Sequence, residues 1–210
     1  MAVAIPAMSS RSPVTVTRVT RVTTAITSRG CPHSCPFCFT YKKQYRVRDI
    51  DNILDEMEHC VSLGITETFF IDDLFTPNSQ WAIKFCDAIE RRGLKFSWGY
   101  KTTVAGTTRE QVRRCREAGA TKMHFGVETM SNEGLEVHNK HCDTDDCHRV
   151  FRWCREEGIR RVAYIMIGGP QERTREDVLK NLDEALKLDP QQRLMLERIL
   201  SSRDAVSIAR

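Results

Sequence analysis

No stretch of this 210-residue sequence approaches the roughly 20 consecutive apolar residues that a bilayer-spanning helix needs, so no membrane span is expected. The opening MAVAIPAM is apolar, but no charged region stands before it; it reads as a tail, not a secretory leader. An even cysteine count is also missing. Nine cysteines scattered through a mid-sized chain do not suggest a disulfide framework and fit a reducing, cytoplasmic setting. Acidic residues are absent until Asp49, while eight lysines and arginines precede it; with a net charge of +4, the rest of the chain carries −4. Such a basic start could attract an anionic ligand or nucleic acid, or be a solvated tail. It also has the arginine-rich, acid-free character of an organellar transit peptide, but the Thr/Val/Arg alternation from Val14 to Thr24 offers no helical apolar face.

What is present is a repeated unit. An amphipathic segment ends at glycine and a short apolar run follows: GITETFFIDD from Gly64, GLKFSWGYK from Gly93, GATKMHFGVE from Gly119 and GIRRVAYIMIGG from Gly158. Glycine just past a helix supplies the left-handed cap, and runs rich in Phe, Ile, Val, Tyr and Trp favour strands. The intervening segments carry helical stripes. Ile50, Ile53, Leu54, Met57 and Val61 share one face, as do Trp81, Phe85, Ala88 and Ile89, and Val178, Leu182, Ala185 and Leu186. Thr108-x-x-Gln111 predicts a capping box and Thr174-x-x-Asp177 a weaker one. Strands are therefore expected near Thr23–Ser28, Thr68–Ile71, Lys95–Trp98, Lys122–Phe125 and Val162–Ile167. Strict alternation of strand and helix means an α/β fold with a parallel sheet. Five visible units, against the eight of a full barrel of about 250 residues, make it a partial (β/α) TIM-like barrel of five to six strands with the helices outside.

In such folds the chemistry sits at the carboxyl ends of the strands. Unusual polar or glycine residues cluster there: the cysteines after the first strand, Asp72 and Asp73 after the second, Gly99 and Lys101 at the third, Gly126 and Glu128 at the fourth, Gly168 and Gly169 after the fifth. The cysteines carry the sharpest signal. TSRGCPHSCPFCFT holds Cys31, Cys35 and Cys38, with no fourth thiol nearby and no following C-x-x-C or H-x-x-H pair. A structural zinc site is closed by four ligands, and an electron-transfer [4Fe–4S] cluster takes four thiolates. Three ligands on one loop leave an open coordination position, which is how a metal site does chemistry. The other six cysteines (Cys60, Cys86, Cys115, Cys142, Cys147, Cys154) read as small buried apolar residues. KHCDTDDCH from Lys140 has metal-ligand residue types, but Cys147 and His148 fit a helix opening.

C-x3-C-x2-C with an aromatic before the last cysteine, here Cys31, Cys35, Phe37 and Cys38, resembles the signature of the radical S-adenosylmethionine (SAM) superfamily. The resemblance runs over about Thr23 to Pro190. It implies that the three cysteines ligate three irons of a [4Fe–4S] cluster, that SAM chelates the fourth iron, and that one electron cleaves SAM to methionine and a 5′-deoxyadenosyl radical. FIDDLFT (Phe70–Thr76) looks like the second-strand segment of relatives that often carry a cobalamin-binding domain. Asp72 and Asp73 stand where many members have Gly-Gly-Glu against the SAM amino group; Phe37 belongs to the same cofactor site. FGVET (Phe125–Thr129) resembles the fourth-strand Gly-x-Glu, which places Glu128 near the SAM ribose or methionine. IMIGGP (Ile165–Pro170) resembles the fifth-strand segment, where the backbone of Gly168 and Gly169 approaches the adenine.

The expected organisation is a basic irregular tail over 1–22, the radical SAM core over 23–190, and a divergent, possibly truncated segment over 191–210, where these relatives have a sixth strand. No cobalamin-type domain precedes the core, so cobalamin enters only through the resemblance, and with it methyl transfer. A small-molecule substrate and an electron donor such as flavodoxin or ferredoxin are the implied partners. Two other readings stand beside this one. The first is a non-catalytic iron–sulfur or zinc-binding protein on the same scaffold; the second is an RNA-modifying enzyme, which would need an RNA module the sequence does not display.

Overall fold

Side chains that accept a hydrogen bond open every helix of the computed structural model, which describes residues 21–39, 44–76 and 78–189. Asp49 caps α1 (Ile50–Ser62), Asn78 caps α2 (Ser79–Arg91), Thr108 caps α3 (Arg109–Glu117), Ser131 caps the short α4 (Asn132–Val137), Asp143 caps α5 (Thr144–Glu156) and Thr174 caps α6 (Arg175–Leu188). The two predicted capping boxes exchange rank. Thr174 and Asp177 form the full reciprocal box. Thr108 accepts from Gln111 N, but the buried Gln111 amide turns inward to Tyr100 Oη (3.3 Å) and Ser79 Oγ (2.8 Å) instead of returning to the cap. The glycines that end α1, α2, α3 and α5 adopt positive φ. At Gly119 the requirement is doubled, because φ is +98° and a Cβ would lie 2.6 Å from Phe96 O.

The strands are β1 (Val22–Ala25), β2 (Ser28–Arg29), β3 (Arg46–Val47), β4 (Glu67–Phe70), β5 (Ser97–Thr102), β6 (Ala120–Glu128) and β7 (Arg160–Ile165). Five form one parallel sheet in the order β1-β4-β5-β6-β7, and β2 and β3 make a separate antiparallel pair. This is the winding expected of a partial barrel. The single first strand predicted over Thr23–Ser28 is broken at Ile26–Thr27, because the N–H groups of Thr27 and Ser28 bond to the side chain of Asp72 instead of a neighbouring strand. The third and fourth strands run further than the apolar runs suggested, to Thr102 and Glu128. An interior strand has its backbone paired on both edges whatever its side chains. The tail over 1–22, apart from Arg21 and Val22, and the segment 191–210 lie outside the described residues.

The helices cover one face of the sheet. Phe70, Trp98, Tyr100, Met123 and Phe125 point into that layer and are almost fully buried. Phe75, in the loop after β4, joins them, with ring centroids 5.1 Å from Phe70, 5.7 Å from Trp98 and 4.4 Å from Tyr100. Half of the FIDDLFT motif is therefore core, since Leu74 and Phe75 are buried with Phe70. Cys86, Cys115, Cys147 and Cys154 are buried as expected, whereas Cys60 and Cys142 are only half-buried. The opposite face carries Glu67, Phe69, Gly99, Lys101, Lys122 and His124, all from the alternate positions of β4 to β6. No helix among the described residues is long and apolar enough to cross a membrane.

Candidate functional site

Gly30, at φ +78°, turns the chain out of β2 into the cysteine loop. A turn closed by Cys38 N donating to Cys35 O (3.0 Å) sets the last two cysteines. All three thiols are half-buried and none is in a disulfide. They lie close enough to act on one another. Burial pushes the Cys31 thiol up; the His33 N–H opposes this, and Cys35, Cys38 and Asp73 add to it. Burial also raises Cys35, with Lys140 pulling down and Cys38 and Glu128 pushing up. His33 titrates below its ordinary range, through burial first and then Lys140 and His141.

The loop is docked on the segment after α4. Asn139 Nδ2 donates to Ser34 Oγ at 2.8 Å. His138 meets Phe37 edge-on, with centroids 5.1 Å apart, and Lys140 Nζ lies 6.0 Å from the same ring. Lys140 also pairs with Glu128 Oε1 at 3.2 Å, both side chains being largely buried. Glu128 itself is at φ +70°, at the β-bulge where β6 slips against β7. Its carboxylate folds back over Gly126, where a Cβ would stand 2.7 Å from Glu128 Oε1. Glycine at 126 is thus a steric requirement of the Glu128 rotamer. The ion-pair partner of Glu128 is thus Lys140, twelve residues on. Lys140 sits in the stretch singled out for its metal-ligand types, which serves instead to open α5, with Cys147 buried one turn inside.

Asp72 and Asp73 part company. Asp73 is exposed and acts on Cys31. Asp72 is 2% exposed. Its Oδ1 accepts from Thr27 N (2.8 Å) and Ser28 N, and the hydroxyls of Thr27 and Ser28 lie 2.9 and 2.7 Å away. The acceptor capacity of Asp72 Oδ1 is thus engaged in holding β1 to β2. Its Oδ2 is buried without a hydrogen-bond partner among the described residues. Tyr45, donating to Leu74 O at 3.1 Å beside this cluster, is pushed up to about 12 by burial. Asp72→Asn should lower stability by about 2 kcal/mol, because a neutral amide oxygen replaces the charged one on which four donors converge; an unfolding free energy from urea titration lowered by less than about 0.2 kcal/mol would refute the clamp.

Gly168 and Gly169 donate their N–H groups to Glu172 Oε2 at 2.5 and 3.2 Å, and a Cβ at Gly169 would collide with Gln171. The close approach seen at this turn is therefore to the chain's own Gln171. A residue the sequence reading missed fixes the turn: Asn181 of α6, 5% exposed. Its Oδ1 accepts from Thr129 Oγ1 (3.2 Å) and Met130 N (2.7 Å), and its Nδ2 donates to Met166 O (3.4 Å) and Glu172 Oε1 (2.6 Å). Nothing in a polar residue on a helix face announces that it binds two strand ends together.

The donor set suits a polynuclear cluster. Three soft, half-buried thiols lie on one loop, and thiolates are the ligands of iron–sulfur clusters. A zinc ion needs its sulfurs drawn together at about 2.3 Å from one point, whereas a cluster spreads its thiolates over several irons. Two buried, unpartnered polar atoms, Asp72 Oδ2 and His138 Nε2, belong to the residues that support the loop.

The family model of the radical SAM superfamily matches residues 25–185. An uncharacterized methyltransferase of Pyrococcus horikoshii is 30% identical over 168 residues, covering 78% of this chain and 36% of that protein. The anaerobic magnesium-protoporphyrin IX monomethyl ester cyclase of Cereibacter sphaeroides is 32% identical over 148 residues, covering 67% of this chain and 24% of the cyclase. Among solved structures, the radical S-adenosylmethionine methyltransferase TsrM from Kitasatospora setae, with cobalamin and a [4Fe–4S] cluster bound, superposes with a TM-score of 0.73 at 23% identity. The match covers 80% of this chain and 35% of that one. This likeness shows the fold. The chain spans about a third of the length of the first relative.

Proposed function

Because the chain belongs to the radical SAM superfamily, we propose that residues 23–190 form an enzyme core whose Cys31, Cys35 and Cys38 hold a [4Fe–4S] cluster open to SAM. The observation that carries the proposal is the loop itself: three mutually interacting thiols at the carboxyl end of a parallel sheet, pinned by Ser34 and Phe37 against residues 138–140. When bound, the cluster and SAM supply one-electron cleavage to methionine and a 5′-deoxyadenosyl radical. The chain's own residues position and shield. Phe37 offers an aromatic face, 42% exposed, beside the cysteines. Asp73 presents an exposed carboxylate where a SAM ammonium would gain a charge-assisted bond, and Asp72 holds that segment in place. Glu128, oriented by Lys140, faces the same loop, and Gly168 and Gly169 form the far wall through the Glu172 and Asn181 brace.

Methyl transfer is the reaction we assign, on the strength of the methyltransferases among the relatives. Cobalamin, bound in the TsrM structure, belongs to that part of the proposal, and no described residue is assigned to it. A flavodoxin or ferredoxin would deliver the electron, a small molecule would be the substrate, and a reducing cytoplasm would suit the free thiols.

Anaerobic reconstitution with iron and sulfide, reduction with dithionite and addition of SAM should yield iron–sulfur absorption and 5′-deoxyadenosine. A loaded cluster with no SAM cleavage would sink the enzymatic reading; zinc uptake with no iron–sulfur absorption would sink the cluster.

A further inference from the structure

The sheet face turned away from the helices is chemically lopsided. In register across it stand Phe69, Gly99, Lys122 and Arg160, and one step nearer the cysteine loop Lys101, His124 and Val162. Gly99 is the pivot: a Cβ there would meet Lys122 Cβ at 2.9 Å and the Phe69 ring at 3.0 Å. Its absence lets Lys122 reach over β5 to pair with Glu67 of β4. That pairing uses Glu67, and the other carboxylate of these strands, Glu128 at the end of β6, is paired with Lys140. Among the described residues Lys101 and Arg160 form no ion pair. His124 tilts against Phe69 at 4.8 Å between ring centroids, and its Nδ1 lies 2.9 Å from Tyr164 Oη. Burial first, then Arg160, Lys122 and Lys101, hold its titration below the ordinary range. In the neutral ring, with Tyr164 donating to Nδ1, the proton sits on Nε2, which is then a donor. Tyr164 of β7 is 46% exposed and Ile71, at the end of β4, 43%.

We infer that this face is the substrate floor of the proposed enzyme and takes a small molecule with a carboxylate or phosphate on a planar or apolar body. Lys101 and His124 Nε2–H hold the anion, and Phe69 and Tyr164 carry the body. The inference rests on the radical SAM reading for its use, since the floor opens toward the cysteine loop: Phe75 N, just beyond Asp72 and Asp73, bonds to Lys101 O at 3.2 Å. Its support is charge complementarity, with Lys101 and Arg160 uncompensated beside aromatic surface on a face that no described helix covers. A floor for a neutral ligand would gain nothing from gathering unpaired Lys101 and Arg160 around a histidine, because like charges oppose one another.

The full chain is titrated by calorimetry with 2-naphthoate, 2-naphthyl phosphate and methyl 2-naphthoate. At least one anion should bind about tenfold more tightly than the neutral ester, the advantage expected of one charge-assisted contact. The preferred anion separates carboxylate from phosphate chemistry. Lys101→Gln should remove that advantage and leave ester binding unchanged; Lys101→Arg should restore it. Binding of the anion should also move the His124 Cε1–H resonance. Equal binding of all three probes, binding of none, or indifference to Lys101→Gln overturns the inference. Iron–sulfur absorption recorded on the same protein keeps the two ideas apart. Anion selectivity without a cluster defeats the enzyme reading alone, and a cluster without anion selectivity defeats the floor alone.

Discussion

Cys35→Ala should abolish loading of the iron–sulfur cluster, with reconstituted iron falling to the background of a protein lacking all three loop cysteines. In the proposed site each of the three thiolates would hold one iron, so removing one would leave the cluster only two protein ligands. Cys35 is also the thiol that feels Lys140, Glu128 and Cys38 together, which places it at the centre of the loop's contacts. The folded chain should survive, since Cys35 is half-buried and outside the sheet. Cys115→Ala is the opposite case. Cys115 is fully buried, 3.8 Å from Cys86 and 3.6 Å from Tyr100 Oη. Its loss opens a small core cavity and should lower the unfolding midpoint while iron loading persists. Iron content and absorption per folded chain, measured side by side, decide the matter; a Cys35→Ala protein that loads like wild type would remove the cysteine loop from the site.

Lys140→Met should cost about 3–5 kcal/mol, the usual penalty for stripping one partner from a buried ion pair. Lys140 retains only 6% of its side-chain exposure and Glu128 13%, so water cannot replace the lost ammonium at Glu128 Oε1. Methionine keeps much of the aliphatic stem, which confines the change to the charge. The double variant Lys140→Met, Glu128→Gln should recover part of the loss, because the orphaned charge is then gone; that non-additivity is the signature of direct coupling. Denaturant midpoints of the two single variants and the double variant give the coupling energy. Simple additivity would mean that the pair does not act as a unit. Because Lys140 also lies against Phe37, the single variant should loosen the cysteine loop, seen as faster amide exchange at residues 34–38.

Much of the architecture was written locally. The glycine-terminated helices, the apolar runs after them and the polar residues at strand ends each follow from short-range periodicity and cap chemistry, and the parallel sheet follows from their alternation. The cysteine spacing and the aromatic at Phe37 were readable for the same reason: a loop motif lies within eight residues. What escaped was the pairing of distant side chains. The break between β1 and β2 comes from Asp72, more than 40 residues on. The brace at Asn181 joins two strand ends from a third element. The short α4 went unread and the stretch from Lys140 read as a helix opening, yet residues 138–140 behind α4 seat the cysteine loop.

The sequence by itself determined the element order, the parallel α/β class and a three-thiol loop suited to a cluster with one open iron, because those are properties of residues close together in the chain. Only the tertiary structure decided which carboxylate faces the loop and which is spent on the fold, that Glu128 answers to Lys140, and that the uncovered sheet face gathers Lys101, His124 and Tyr164. Those choices depend on which side chains the sheet register and the crossovers bring within hydrogen-bonding distance. At that range burial and Coulomb attraction, rather than local propensity, select the partner.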